Sequence, residues 1–114
     1  MLPSIFRLKK KRDFERVFDL GRALAGKFFI LRHSSNELAI TRFGCVISAK
    51  VSRRATDRNK LKRQVNEIIR LSLERIKTGF DVVIIFKRSA PGSEYQALEK
   101  DLISLLIKGG LSLK

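Results

Sequence analysis

The sequence predicts a single α+β domain with its elements in the order α-β-β-(β)-α-β-α, and three observations carry that prediction. A long stretch from Asp57 to Ile76 repeats its apolar residues at helical spacing. The run Val82-Val83-Ile84-Ile85-Phe86 is continuous, apolar, and of strand length and composition. Two further segments rich in Phe, Ile, Leu and Val, Lys27–His33 and Leu38–Ser48, precede the long helical pattern. At 114 residues, with no internal repeat and no interdomain linker, residues 1–114 are expected to form one domain.

The first helix is read from about Lys10 to Leu20, where Phe14, Val17 and Phe18 fall at i, i+3 and i+4 and Gly21 offers a stop. A short strand near Arg22–Leu24 is weakly signalled. Lys27–His33 and Leu38–Ser48 flank the polar turn Ser34-Ser35-Asn36-Glu37 and are expected to pair as a hairpin. The second helix is read from about Asp57 to Ile76, with Thr56 as N-cap and Gly79 just past the end. Leu61, Val65, Ile68, Ile69 and Ile76 fall on one side, Asn59, Arg63, Asn66 and Arg70 on roughly the opposite side, and Arg58 and Lys62 on the flank between. Asp81–Lys87 is expected as a central, buried strand. After the break Pro91-Gly92-Ser93, the pattern Tyr95, Leu98, Leu102, Ile103, Leu105 and Leu106 predicts a third helix ending near Gly109-Gly110.

Charge narrows what this domain works on. The sequence holds 25 Lys and Arg against 11 Asp and Glu, a formal net charge of +14. Self-repulsion at that density opposes the compact state, and a polyanion relieves it. Nucleic acid is favoured over membrane, because no uninterrupted apolar run reaches the roughly 18 residues of a span. Met1–Leu8 is too short and polar for a signal-peptide hydrophobic region, so the expected location is the cytosol. One cysteine and one histidine exclude an intrachain disulfide and a multi-ligand Cys/His zinc site. Cys45, within Gly44-Cys45-Val46-Ile47, reads as a small buried residue, and His33 beside Ser34-Ser35-Asn36 as part of a turn.

The densest basic segment is Lys50–Arg63, with Lys50, Arg53, Arg54, Arg58, Lys60, Lys62 and Arg63, and it runs into the start of the long helix. Cations there oppose the helix macrodipole, so a functional demand explains them better than stability does. Phosphates bound there would meet side-chain cations and free backbone N–H groups together. A helix-turn-helix is disfavoured, since strand-like residues precede Lys50 and follow Thr78. The carboxylates Asp13, Asp57, Glu67, Asp81 and Asp101 show no clustering that would make a protein nuclease. Asp57 reads as an N-terminal helix charge and Glu67 as a helical partner for Arg63 or Arg70. With no Gly-rich phosphate loop and no nucleophile–base pair, no catalytic or metal-ligating residue is assigned.

Arg58-Asn59-Lys60-Leu61-Lys62-Arg63, followed by Glu67, resembles the Arg-Asn-Arg signature helix of the bacterial ribonuclease P protein subunit. Arg7-Leu8-Lys9-Lys10 leading to Asp13-Phe14 and Val17-Phe18 is similar to that family's N-terminal helix. Phe43-Gly44 to Ser48, Lys50 and Ala55 are similar to the strand and basic loop feeding the signature helix, and the resemblance covers nearly the whole chain. It implies an α-β-β-β-α-β-α domain like the second domain of ribosomal protein S5. It also implies a left-handed βαβ crossover, where the general rule predicts a right-handed one.

The resemblance further implies two RNA surfaces. Arg58, Asn59, Lys60, Lys62 and Arg63 match the signature helix that meets the catalytic RNA, and Lys50, Arg53, Arg54 and Arg70 add charge beside it. Phe14, Phe18, Ile30 and Arg32 match a cleft for the single-stranded 5′ leader of precursor tRNA, bordered by Arg58 and Lys62. Aromatic rings beside cations suit a single strand, because bases stack while phosphates are neutralised. The implied activity is endonucleolytic removal of the leader, with catalytic Mg²⁺ held mainly by the RNA subunit and the protein itself monomeric. The sequence departs from the family pattern in places. Lys60 stands for Arg, exchanging a planar fork for a flexible point charge. Asn66 stands for a frequent Arg, Ala49 for a frequent Lys and Arg32 for an aromatic residue, and Ser52-Arg53-Arg54 is one residue longer than the usual loop. The rival from another class is a general RNA-binding protein unconnected with an enzyme. A membrane-surface protein would need a large exposed apolar face on its basic helix.

Overall fold

Val82–Phe86 needs apolar cover on both faces, and the computed structural model, which describes residues 2–112, places it in the middle of a sheet. The main elements are α1 (Lys11–Leu20), β1 (Arg22–Ala25), β2 (Phe29–Ser35), β3 (Arg42–Val46), α2 (Ala55–Ser72), β4 (Phe80–Phe86) and α3 (Tyr95–Lys108). Single 3₁₀ turns occupy Ser4–Phe6 and Leu73–Arg75. The sheet order is β1-β2-β4-β3, with β4 antiparallel to β2 and parallel to β3. The α+β class and the α-β-β-β-α-β-α order are therefore as expected.

Two strand expectations are corrected. The segments 27–33 and 38–48 do not form a hairpin with each other, because β4 lies between them. A strand buried on both faces gains most from two neighbours, and insertion between β2 and β3 supplies them. The connection between β2 and β3 is tied to β4 instead: Asn36 Nδ2 donates to Asp81 Oδ1 at 2.9 Å and to the Ile40 carbonyl at 3.1 Å. The hairpin is β1–β2, so the weakly signalled segment 22–24 is a real edge strand, pairing Arg22 with His33 and Ala25 with Ile30. Its turn is held by α3, where the two Asp101 oxygens accept the Lys27 and Phe28 N–H groups at 2.9 Å each.

Register divides the sheet into two faces. Val82, Ile84 and Phe86 align with His33, Leu31 and Phe29 of β2 and, on the other side, with Phe43 and Cys45. The apolar sides of α2 (Leu61, Val65, Ile68, Ile69) and α3 (Leu98, Leu102, Leu105, Leu106) complete the main core on this face. Val83 and Ile85 point the other way, where Val17 of α1, Leu8, Phe14 and Val46 make a smaller cluster. α2 begins two residues earlier than expected. Its N-cap is Arg54, not Thr56, and it ends at Ser72, so Ile76 is buried from beyond the helix rather than on its face. Among the described residues no helix is long and apolar enough to cross a membrane.

Candidate nucleic-acid interface

The loop between β3 and α2 delivers most of the basic segment to one end of the sheet. Arg58 Nη1 donates to the Ser52 carbonyl at 2.7 Å, folding the loop back onto the first turns of α2. Ser52 Oγ lies 3.3 Å from Asp57 Oδ2, the one acidic residue of the first turn. Asn59, Lys60, Arg63 and Arg70 are exposed, whereas Arg58 and Lys62 are half-buried on the flank, as their spacing predicts. Lys50, Arg53 and Arg54 are exposed in the loop.

These cations are not all equivalent. Arg70 is engaged, donating to both Glu67 oxygens at 3.0 and 2.7 Å, and this pairing holds the exposed Glu67 carboxyl below the usual carboxylate range. Lys60 lines a different hollow, with Asp57, Gln64 and Ser93, between α2 and the loop before α3. Lys50 and Arg53 share a hollow of about 550 Å³ with Arg88. Arg88 has no place in the sequence-derived set. Its only signal is a basic pair, Lys87-Arg88, just after a buried strand.

The second group of residues meets on the α1 face. Phe14 packs over Gly44, where an added Cβ would lie 2.4 Å from the ring, so the missing side chain admits the aromatic. Phe14 is half-buried and acts partly as core, while Phe18 is 38% exposed. Arg32 Nη2 donates to the Phe18 carbonyl at 2.6 Å, and its guanidinium lies 5.3 Å from the Phe18 ring centre. One arginine thus covers an open carbonyl in the last turn of α1 and stacks on its aromatic.

Register adds two residues to this surface. Ile30 aligns with Ile85, and Ile85 with Val46, all half-buried, forming an apolar strip beside α1 that runs to the end of β3. There the chain enters the basic loop. Phe14, Phe18, Ile30 and Arg32 therefore share one face, and the strip connects them to the loop that Arg58 secures. Ile85 and Val46 had read only as core strand. Arg58 and Lys62 belong to a helix packed on the opposite face, and Lys62 acts electrostatically on Cys45. Burial pushes the Cys45 thiol up to about 12, a thiol held in its neutral, inert form.

Two acidic groups near the aromatic face, Asp13 and Asp81, are neutralised. Arg42 donates through Nε and Nη2 to the two oxygens of buried Asp81 at 2.9 and 2.8 Å, and its Nη1 lies 3.6 Å from Asp13 Oδ2. The same guanidinium ties α1, β3 and β4 together.

Comparison with known proteins follows the same lines. The ribonuclease P family model matches residues 2–109. The chain is 32% identical over 111 residues to the ribonuclease P protein component of Syntrophomonas wolfei, covering 97% of this chain and 92% of that protein. It is 37% identical over 111 residues to the corresponding protein of Synechocystis, covering 96% and 90%. The solved RNase P protein of Thermotoga maritima superposes with a TM-score of 0.82 at 33% identity, over 90% of this chain and 96% of that one. That of Staphylococcus aureus superposes with a TM-score of 0.87 at 26% identity, over 94% and 97%. Fold, basic loop, signature helix and these similarities agree: the chain belongs to the ribonuclease P protein family, that of the protein component of a tRNA-processing ribonuclease.

Proposed function

We propose that the chain is the RNA-binding subunit of ribonuclease P, and that it assists a catalytic RNA in cutting the 5′ leader from precursor tRNA. The observation that carries this reading is the junction of two surfaces: the exposed cations of the basic loop and α2 stand at one end of the apolar strip flanked by Phe14 and Phe18. Cations and helix-end N–H groups suit the folded phosphates of a large RNA, and an apolar, aromatic strip suits a single strand. On this reading Lys50, Arg53, Arg54, Arg58, Asn59, Lys60, Lys62, Arg63 and Arg70 meet the catalytic RNA, with Arg88 joining them. Phe14, Phe18, Ile30 and Arg32 receive the leader, with Arg58 at its border through the loop it secures, while Lys62, on the helix across the sheet, stays with the catalytic-RNA surface.

Among the described residues no three His, Cys, Asp or Glu side chains gather where they could hold a metal ion, and four carboxylates are already engaged. Asp13 and Asp81 face Arg42, Asp101 accepts two backbone N–H groups, and Glu67 is taken by Arg70. A hard cation needs free oxygen ligands, so the reading places Mg²⁺ and the hydrolytic step with the RNA. The protein, as one copy in the cytoplasm, lowers repulsion between two RNAs and positions the leader.

The test is precursor-tRNA cleavage by bacterial catalytic RNA at low Mg²⁺, with and without the protein and with Arg58→Ala/Arg63→Ala. Protein-dependent 5′ maturation that weakens in the double variant is expected. Tight RNA binding without any effect on cleavage would leave a general RNA-binding protein instead. With about five phosphates contacted, log affinity falls with log salt at a slope near −3.5, from roughly −0.7 per phosphate. An affinity that stays flat between low and moderate salt would sink the phosphate reading.

A further inference from the structure

The sheet edge farthest from the basic loop carries a second group of cations. β1 is the outer strand there, three strand spacings or about 14 Å from β3. Arg22 and Leu24 of β1, His33 of β2, and Lys108 and Gly109 at the end of α3 line a hollow of about 410 Å³. That is many times the roughly 30 Å³ a water occupies in the liquid. Among the described residues, no carboxylate lines it.

His33 is the buried member, at 9% exposure. It also lines a neighbouring hollow of about 480 Å³ with Arg16, Arg22 and Ser34. Among the described residues, neither His33 Nδ1 nor Ser34 Oγ has a hydrogen-bond partner. Buried polar atoms left unpaired cost about 1–3 kcal/mol each, and in native proteins they ask for a partner from outside the chain.

Among the described residues, the charged groups that line this hollow with the ring are cationic. Arg22 stands opposite His33 in the β1–β2 register and Lys108 comes from α3, while Arg16 of α1, 3.8 Å from Glu37, lines only the neighbouring hollow. From β4 only the Phe80 ring approaches, edge-on at 6.0 Å. Burial first and Arg22 second hold the imidazole below the ordinary histidine range. Cations around a neutral imidazole, without a carboxylate, are an arrangement that an anion completes. Its oxygens would accept from Arg22, Lys108 and the ring, and its charge would draw a proton onto His33.

We propose that Arg22, His33 and Lys108 form a second phosphate site, on the edge opposite the signature helix, which takes a backbone phosphate of RNA. One copy of the chain then holds two RNA segments about a sheet's width apart. The inference rests on the RNA-binding reading above, and the same cation chemistry on the opposite edge favours RNA over a lipid headgroup.

His33 is the only histidine, so its imidazole NMR signal in the full chain reports the site directly. Adding a short RNA duplex is expected to raise its titration midpoint by about one unit, the effect of an opposite charge at close range. Arg22→Gln/Lys108→Gln, both at exposed positions, is expected to abolish that rise and to reduce the salt slope of catalytic-RNA binding by about 0.8, one phosphate's share. Repeating the slope with precursor tRNA on the assembled holoenzyme shows which RNA supplies the phosphate. An unmoved midpoint, or a shift with phosphatidylglycerol vesicles and not with RNA, would overturn the proposal. If Arg58→Ala/Arg63→Ala weakens RNA binding while Arg22→Gln/Lys108→Gln does not, the signature-helix reading stands and this one fails. The reverse pattern overturns the signature-helix reading and keeps this one.

Discussion

Arg42 concentrates several contacts in one guanidinium. It pairs with Asp81, itself 2% exposed, while reaching Asp13 on α1. Removing one member of a buried pair leaves the other uncompensated, so Arg42→Ala is expected to lower stability by about 3 kcal/mol in urea unfolding. A loss below about 1 kcal/mol would mean that Asn36 alone satisfies Asp81. His33 gives a pH-dependent counterpart. Its folded-state pKa is depressed, so the unfolded chain binds the extra proton more readily. Its contribution is fully present above the unfolded value of about 6.5 and is lost as pH falls from there through the folded value. In RNA-free protein, unfolding free energy should decline over that window in wild type and stay flatter in His33→Gln. Equal curves for the two would refute the assignment.

At the scale of elements, α2 starts in a way that stability alone does not favour. Arg54 is its N-cap with extended backbone and no side-chain cap, and more cations follow where the macrodipole is positive. Arg54→Ser supplies a capping hydroxyl and removes a charge. It should raise thermal stability by about 1 kcal/mol while weakening catalytic-RNA binding. A variant that is more stable but binds equally tightly would show that Arg54 makes no contact with the RNA. The helices and β4 were legible from spacing, because periods of 3.6 and 2 are local properties of the chain. The short edge strand β1 was nearly invisible. Its residues are exposed or half-buried, and it is held by pairing with β2 and by the grip of Asp101 on the following turn.

For the whole molecule, a net charge of +14 is the dominant long-range force. Screening should relieve self-repulsion, so Tm is expected to rise by about 2–5 °C between low and physiological salt in a thermal melt. A falling Tm would show that attractive pairs such as Arg42–Asp81 outweigh the repulsion. By itself the sequence determined the element types, the basic balance, the signature helix and the family, since each is written in local spacing and composition. Strand order was decided only in three dimensions: β4 inserts between β2 and β3 because burial on both faces outweighs a local hairpin. So was the gathering of distant residues, Arg88 with Lys50 and Arg53 at one edge and Arg22 with His33 and Lys108 at the other. Side chains far apart in the chain become neighbours only once the apolar faces of β4, α2 and α3 have chosen their partners, and that choice is made by the core as a whole.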